Sequence, residues 1–128
     1  MSDVRCRIIM SSGQALARAV VISTRYSLIR RQGAVGIDGG MNEIQSNIIP
    51  ERQVMDYPTQ QAILIPLLAW SFAMHAVGRS VCYMYRKYMK SQDLGLLSEL
   101  HAITSALKIT LTQKTINGIE TCRQVQYN

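Results

Sequence analysis

The chain has 128 residues, 48% of them apolar, 17% charged and 6% aromatic, with a formal net charge of +6. That length suits one domain or part of one and excludes a large multidomain enzyme within these residues. The apolar fraction excludes a disordered tail, and three prolines with eight glycines exclude collagen-like and proline-rich chains.

The first predicted helix spans about residues 3–31. Ile8, Ala15, Ala19, Ile22, Tyr26 and Ile29 are spaced as one helical face, and Arg7, Ser11, Gln14, Arg18 and Arg25 as a polar one. Gly33 is a natural stop, with Arg30 and Arg31 placed to complement the dipole of the last turn. Residues 32–53 have no sustained period. Gly33, Gly36, Gly39, Gly40, Asn42, Asn47 and Pro50 mark a loop that is long for a compact domain.

The second helix is expected over about 56–90, with Asp56 as its cap and Pro58 in its first turn. Pro66 predicts a kink near residues 63–66. The uncharged run Ala62–Val77 is apolar all round, which implies burial on several sides. At sixteen residues it is short of the roughly 20 that a membrane span needs. Residues 91–95 form a turn. The third helix covers about 96–124, with stripes Leu96, Leu100, Ile103, Leu107, Leu111 and Ile109, Ile116, Ile119, Cys122. Gly118 inside it implies close helix packing. The predicted fold is therefore all-α, one partial domain over 1–128, with three long antiparallel helices that need a fourth helix or a partner to cover them.

The charge is distributed unevenly. Residues 1–31 hold six arginines against Asp3, and residues 63–90 hold Arg79, Arg86, Lys87 and Lys90 with no acid. A basic balance can mean nucleic acid, an anionic membrane or a phosphate-bearing ligand. The charge is spread along helical patterns with only short clusters at Arg30-Arg31 and Arg86-Lys87, as on solvated helix faces, and no nucleic-acid partner is expected. Cys6, Cys82 and Cys122 are dispersed without a CxxC, as in a reducing compartment. No secretory or SKL-type address is read in the chain.

Catalytic motifs are missing. His75 and His101 lie 26 residues apart with no partners at ligand spacing, so no metal site is expected, and His75 reads as a hydrogen-bonded core histidine. There is no GxSxG, Walker loop or GxGxxG. The run Arg30-Arg31-Gln32-Gly33 has two readings. It is a helix C-terminus with dipole-complementing arginines, or a clamp whose guanidinium binds a pyrophosphate through paired charge-assisted hydrogen bonds.

Longer runs carry a resemblance. Ala15-Leu16-Ala17-Arg18-Ala19, Thr24-Arg25-Tyr26-Ser27 and Arg30-Arg31-Gln32 resemble the ALARA, TRYS and RRQFG segments of acyl-CoA oxidases. Gln53-Val54-Met55-Asp56-Tyr57-Pro58-Thr59-Gln60-Gln61 resembles the family's QVxDYxTQQ. Glu99-Leu100-His101-Ala102 and Gly118-Ile119-Glu120 with Cys122-Arg123 resemble its ELHA and GIExCR. These motifs occur in order over nearly the whole chain.

The resemblance implies an acyl-CoA dehydrogenase-like flavoprotein of the peroxisome, acting on fatty acyl-CoA with FAD and giving a trans-2-enoyl-CoA and hydrogen peroxide. The matched region is three helices of the up-down bundle after the β-domain, with the fourth helix and the catalytic glutamate beyond it. No residue here is therefore assigned as catalytic. Arg30 matches the arginine at the flavin-adenine pyrophosphate, reached across a homodimer interface in related enzymes, and Gln32 the cofactor contact beside it. Gln60 and Gln61 match the TQQ element on the adenine side. Arg5 matches an arginine near the substrate region, while Tyr26, His101 and Arg123 are read as packing and bundle contacts. The family's phenylalanine after RRQ is absent, and Gly33 follows Gln32 directly. Two other readings stand beside this one: a catalytically inactive helical interaction module, and a single membrane span over Ala62–Val77 with a positive flank.

Overall fold

The computed structural model describes residues 2–33 and 51–127. Three long helices, α1 (Ser2–Ile29), α2 (Pro58–Ser91) and α3 (Leu94–Tyr127), run up, down and up, and a 3-10 turn, Val54–Asp56, precedes α2. The chain is all-α among the described residues. Most of the long loop, residues 34–50, lies outside them. α1 lies between the other two helices, which touch each other much less.

The buried stripe of α1 is not the predicted one. Cys6, Ile9, Ser12, Gly13, Leu16, Val20, Ser23 and Ser27 are buried, whereas Ile22 and Ile29 of the predicted face are 61% and 81% exposed. The predicted polar face, from Arg7 to Arg25, is exposed as expected. Small side chains explain the rotation. A helix flanked on two sides gains most where its neighbours come closest, and serine and glycine allow that where isoleucine does not. The buried hydroxyls among the described residues are all hydrogen-bonded. Ser23 Oγ donates to Cys122 O at 3.1 Å and Ser27 Oγ to Ser23 O at 2.8 Å. Gln60 Nε2 donates to Ser27 Oγ at 2.8 Å, and Gln126 Nε2 to Ser23 Oγ at 3.2 Å. One network thus joins α2, α1 and α3.

Two glycines set the α1–α2 crossing. A Cβ on Gly13 would lie 3.2 Å from Met74 Cβ, and one on Gly78 would lie 3.0 Å from Met10 Sδ. Gly118 does the same for α3, as its position inside the helix implied. A Cβ there would stand 2.6 Å from Leu16 Cδ1 and 3.3 Å from Leu67 Cδ2.

Further expectations need correction. α2 starts at Pro58 with Tyr57 as its cap; Asp56 belongs to the 3-10 turn and makes no side-chain cap. The first half of α2 is buried on one side only: Gln60, Leu64, Ser71 and Met74 face inward, while Ile65 and Phe72 are 57% and 70% exposed. The second stripe of α3 also faces outward, with Ile109 and Ile116 exposed and Cys122 alone buried. His75 is exposed rather than a core histidine, because the core side of α2 at this level belongs to Met74 and Gly78. Pro66 stays inside α2, on its exposed side.

Gly118→Val is expected to lower stability by about 2 kcal/mol through overpacking against Leu16, which is fully buried. A urea unfolding midpoint unchanged from the parent chain would show that the helices do not meet this closely.

Candidate functional site

The end of α1 and the start of α2 are stitched together. α1 stops at Ile29, so Arg30 and Arg31 lie beyond its last turn, not within it. The reason is a short antiparallel pairing between Arg31 and Gln53 that captures the chain. Val54 N donates to Arg30 O at 3.0 Å, Gln32 N to Arg52 O at 2.9 Å and Arg52 N to Gly33 O at 3.1 Å. Gly33 then turns with φ +87°, in the left-handed region that favours glycine.

The stitch forms one wall of a groove of about 320 Å³ lined by Gln32, Gly33, Val54, Tyr57, Thr59 and Gln60. Tyr57 is its central side chain. Its hydroxyl donates to Gln32 O at 2.8 Å, and the Arg52 guanidinium lies 5.2 Å from its ring centroid. A Cβ on Gly33 would stand 2.5 Å from that hydroxyl, so Tyr57 occupies the space a side chain at position 33 would need.

The structure brings some of the sequence-derived candidates together and separates others. Gln32 and Gln60 share the groove. Gln60 is buried, with its amide committed to Ser27. Arg30 abuts the groove through its backbone, but its guanidinium folds back over Tyr26, 5.5 Å from the ring centroid, and donates to the Tyr26 hydroxyl. Gln61 turns away, donating to Met55 O at 3.0 Å. Arg5 lies near the other end of α1, roughly 37 Å away along the helix. There it donates to Ser105 Oγ at 2.7 Å and sits 3.0 Å from His101 Nε2. Tyr57 and Thr59 carried no assignment from sequence, although both stand inside the DYPTQQ run.

Among the described residues no cluster of three or more His, Cys, Asp or Glu side chains could hold a metal. The described ion pairs are Arg7–Asp3 and Arg123–Glu120, so Arg30, Arg31 and Arg52 have no carboxylate partner among the described residues. Thr59 lies in the first turn of α2, where the helix dipole is positive. The end of the bundle is therefore suited to an anion. The three thiols are free, and burial pushes the thiols of Cys6 and Cys122 up from their ordinary value, away from the thiolate form. Glu120 is held down to about 2 by hydrogen bonds from Arg123 and Gln124.

The architecture is that of a helical bundle segment carrying an anion-suited groove at one end. Comparison with protein families matches residues 1–126 to the acyl-CoA oxidase C-alpha1 domain, and the chain belongs to the acyl-CoA oxidase family. It is 42% identical over 128 residues to putative peroxisomal acyl-coenzyme A oxidase 1.2 of Arabidopsis thaliana, covering 98% of this chain and 18% of that one. The crystal structure of the tomato acyl-CoA oxidase LeACX1 superposes with a TM-score of 0.81 at 39% identity, over 98% of this chain and 18% of that one. Acyl-CoA oxidase-1 of Caenorhabditis elegans, complexed with FAD and ATP, gives 0.81 at 37% identity over the same shares. The chain thus spans less than a fifth of the length of these relatives.

Gln60→Ala is expected to cost about 1–2 kcal/mol by removing the donor that joins α2 to Ser27, read as a lower unfolding midpoint. Glu120 has a folded-state pKa below its unfolded one. The stabilisation from its pairing is thus present above about pH 4.5 and fades as pH falls towards about 2. Its side-chain NMR titration should have its midpoint near 2, and Arg123→Ala should return it towards 4.5; equal midpoints would contradict the pairing.

Proposed function

We propose that this chain is the segment of a peroxisomal FAD-dependent acyl-CoA oxidase that contributes contacts to the flavin pyrophosphate and adenine and packs in a homodimer, without the catalytic glutamate. Fatty acyl-CoA is the substrate of the whole enzyme in this reading. The observation that carries it is the groove at the α1–α2 stitch, where residues of two matched motifs meet beside a helix N-terminus and three arginines without carboxylate partners among the described residues.

Those residues fit a diphosphate-bearing ligand. Arg30, with its side chain steadied by Tyr26, supplies the charge, and Gln32 and Thr59 supply groups that donate and accept hydrogen bonds. The bound flavin would supply the redox chemistry. Gln60 acts through the wall it builds, because its amide is already committed to Ser27. Gln61 reaches an adenine only by leaving Met55 O. Position 33 encloses no ring, since Tyr57 fills that space. Arg5 serves the substrate region at the opposite end, where His101 and Ser105 fix its guanidinium.

An interaction module that performs no chemistry is the second reading, favoured by exposed Ile22, Phe72 and Ile109. A membrane span is disfavoured. α2 is long and apolar enough to cross a membrane, with a mean hydropathy of 1.4 over its most apolar stretch, yet its inner stripe carries Gln60 and Gly78 engaged with α1.

Titrating FAD into the chain should produce saturable NMR shifts at Gln32, Tyr57 and Thr59, and Arg30→Gln should weaken binding by at least about tenfold. Shifts scattered over the surface, or none, would reject the cofactor assignment. Peroxide formed by the chain with FAD and a long-chain acyl-CoA would reject the placing of the catalytic base outside it.

A further inference from the structure

The contact between α1 and α2 keeps one register along most of α1. As the position on α1 falls from Ser27 to Gly13 to Met10, its neighbour on α2 climbs from Gln60 to Met74 to Gly78. The next turn of each helix brings Cys6 and Cys82 to the same contact. The axes of packed helices lie about 8–10 Å apart and each Cα about 2.3 Å off its axis, so facing Cα atoms come within about 7 Å, the reach of a disulfide. Gly13 and Gly78 make this contact a close one. Cys6 is buried in the core cluster, and half-buried Cys82 packs against that cluster. The Cys6 thiol is pushed up first by burial and then by the charges of Cys82 and Asp3, so the two thiols lie within electrostatic reach of each other. Cys122 is no competitor. Its carbonyl accepts from Ser23, roughly 25 Å further along α1 than Cys6.

We propose that Cys6 and Cys82 are a reversible disulfide site, closed by hydrogen peroxide, that clamps α1 to α2. Cys82 is the more accessible thiol and reacts first. Its sulfur attacks one peroxide oxygen and the O–O bond breaks. The sulfur keeps that oxygen as a sulfenic acid, and the other oxygen leaves with the thiol proton as water. The Cys6 sulfur then attacks the Cys82 sulfur. The S–S bond forms as the S–O bond breaks, and the departing hydroxide takes the Cys6 proton to give a second water. The two sulfurs lose the two electrons that the peroxide gains. The bridge joins the first turns of α1 to the second half of α2, so it constrains the unfolded chain and stabilises the fold.

Hydrogen peroxide added to the folded 128-residue chain tests this. The free thiols should fall from three to one, and peptide mapping without reductant should find the Cys6 and Cys82 segments joined. The thermal unfolding midpoint should rise by at least about 5 °C and return with dithiothreitol. Cys122→Ser should still form the bridge. Cys82→Ser, at a half-buried position, should keep its helical circular dichroism and lose both the bridge and the rise. A bridge to Cys122, a sulfinic acid on Cys82 without a bridge, chains linked to one another, or three thiols left intact would each overturn the site. A joined pair without a higher midpoint would overturn the clamp.

Discussion

The structure depends on α1 being pressed from two sides. A helix in that position cannot use a single bulky apolar stripe. It needs a wide inward face that both neighbours can approach, and small residues provide it. Gly13 and Gly78 let α1 and α2 touch near their backbones, and Gly118 lets α3 close over Leu16. Ser23 and Ser27 sit where larger side chains would hold the helices apart. Burying a hydroxyl without a partner costs roughly 1–3 kcal/mol, so each buried serine must be hydrogen-bonded. The Gln60–Ser27–Ser23 network meets that need and fixes the register of all three helices.

The groove follows from this register. Once Gln60 is tied to Ser27, the start of α2 must lie beside the end of α1. The chain leaving α1 then runs antiparallel to the chain entering α2, and the Arg31–Gln53 pairing closes the base of the loop. Arg30 and Arg31 are thereby drawn off the helix, where Arg30 lies over the Tyr26 ring and Arg31 donates to Glu51 O. Gln60 shapes the groove through its packing, which positions the wall that Gln32, Tyr57 and Thr59 complete.

The outward faces follow from the same arrangement. A three-helix layer buries one side of α2 and one side of α3. Both helices carry further apolar residues, as do Ile22 and Ile29 of α1. Such surface normally marks contact with other protein. On α2 it passes into a basic stretch, which gives that surface a direction as well as an apolar character.

The sequence by itself determined the fold class, the three long helices among the described residues, their ends to within about three residues and the family, because helical periodicity, glycine and proline stops and ordered motifs are local features. It also revealed the close contact at Gly118, since glycine inside a long helix needs a steric reason. Of the site, Gln32 and Gln60 were legible through their motifs. Tyr57 and Thr59 were not, because nothing along the chain says which side chains meet across a turn. Only the tertiary structure decided which face of α1 is buried. Apolar spacing pointed to Ile22 and Ile29, but a helix flanked twice is turned by closeness of approach and hydrogen bonding, and those depend on residues 33 to 103 positions away in the chain.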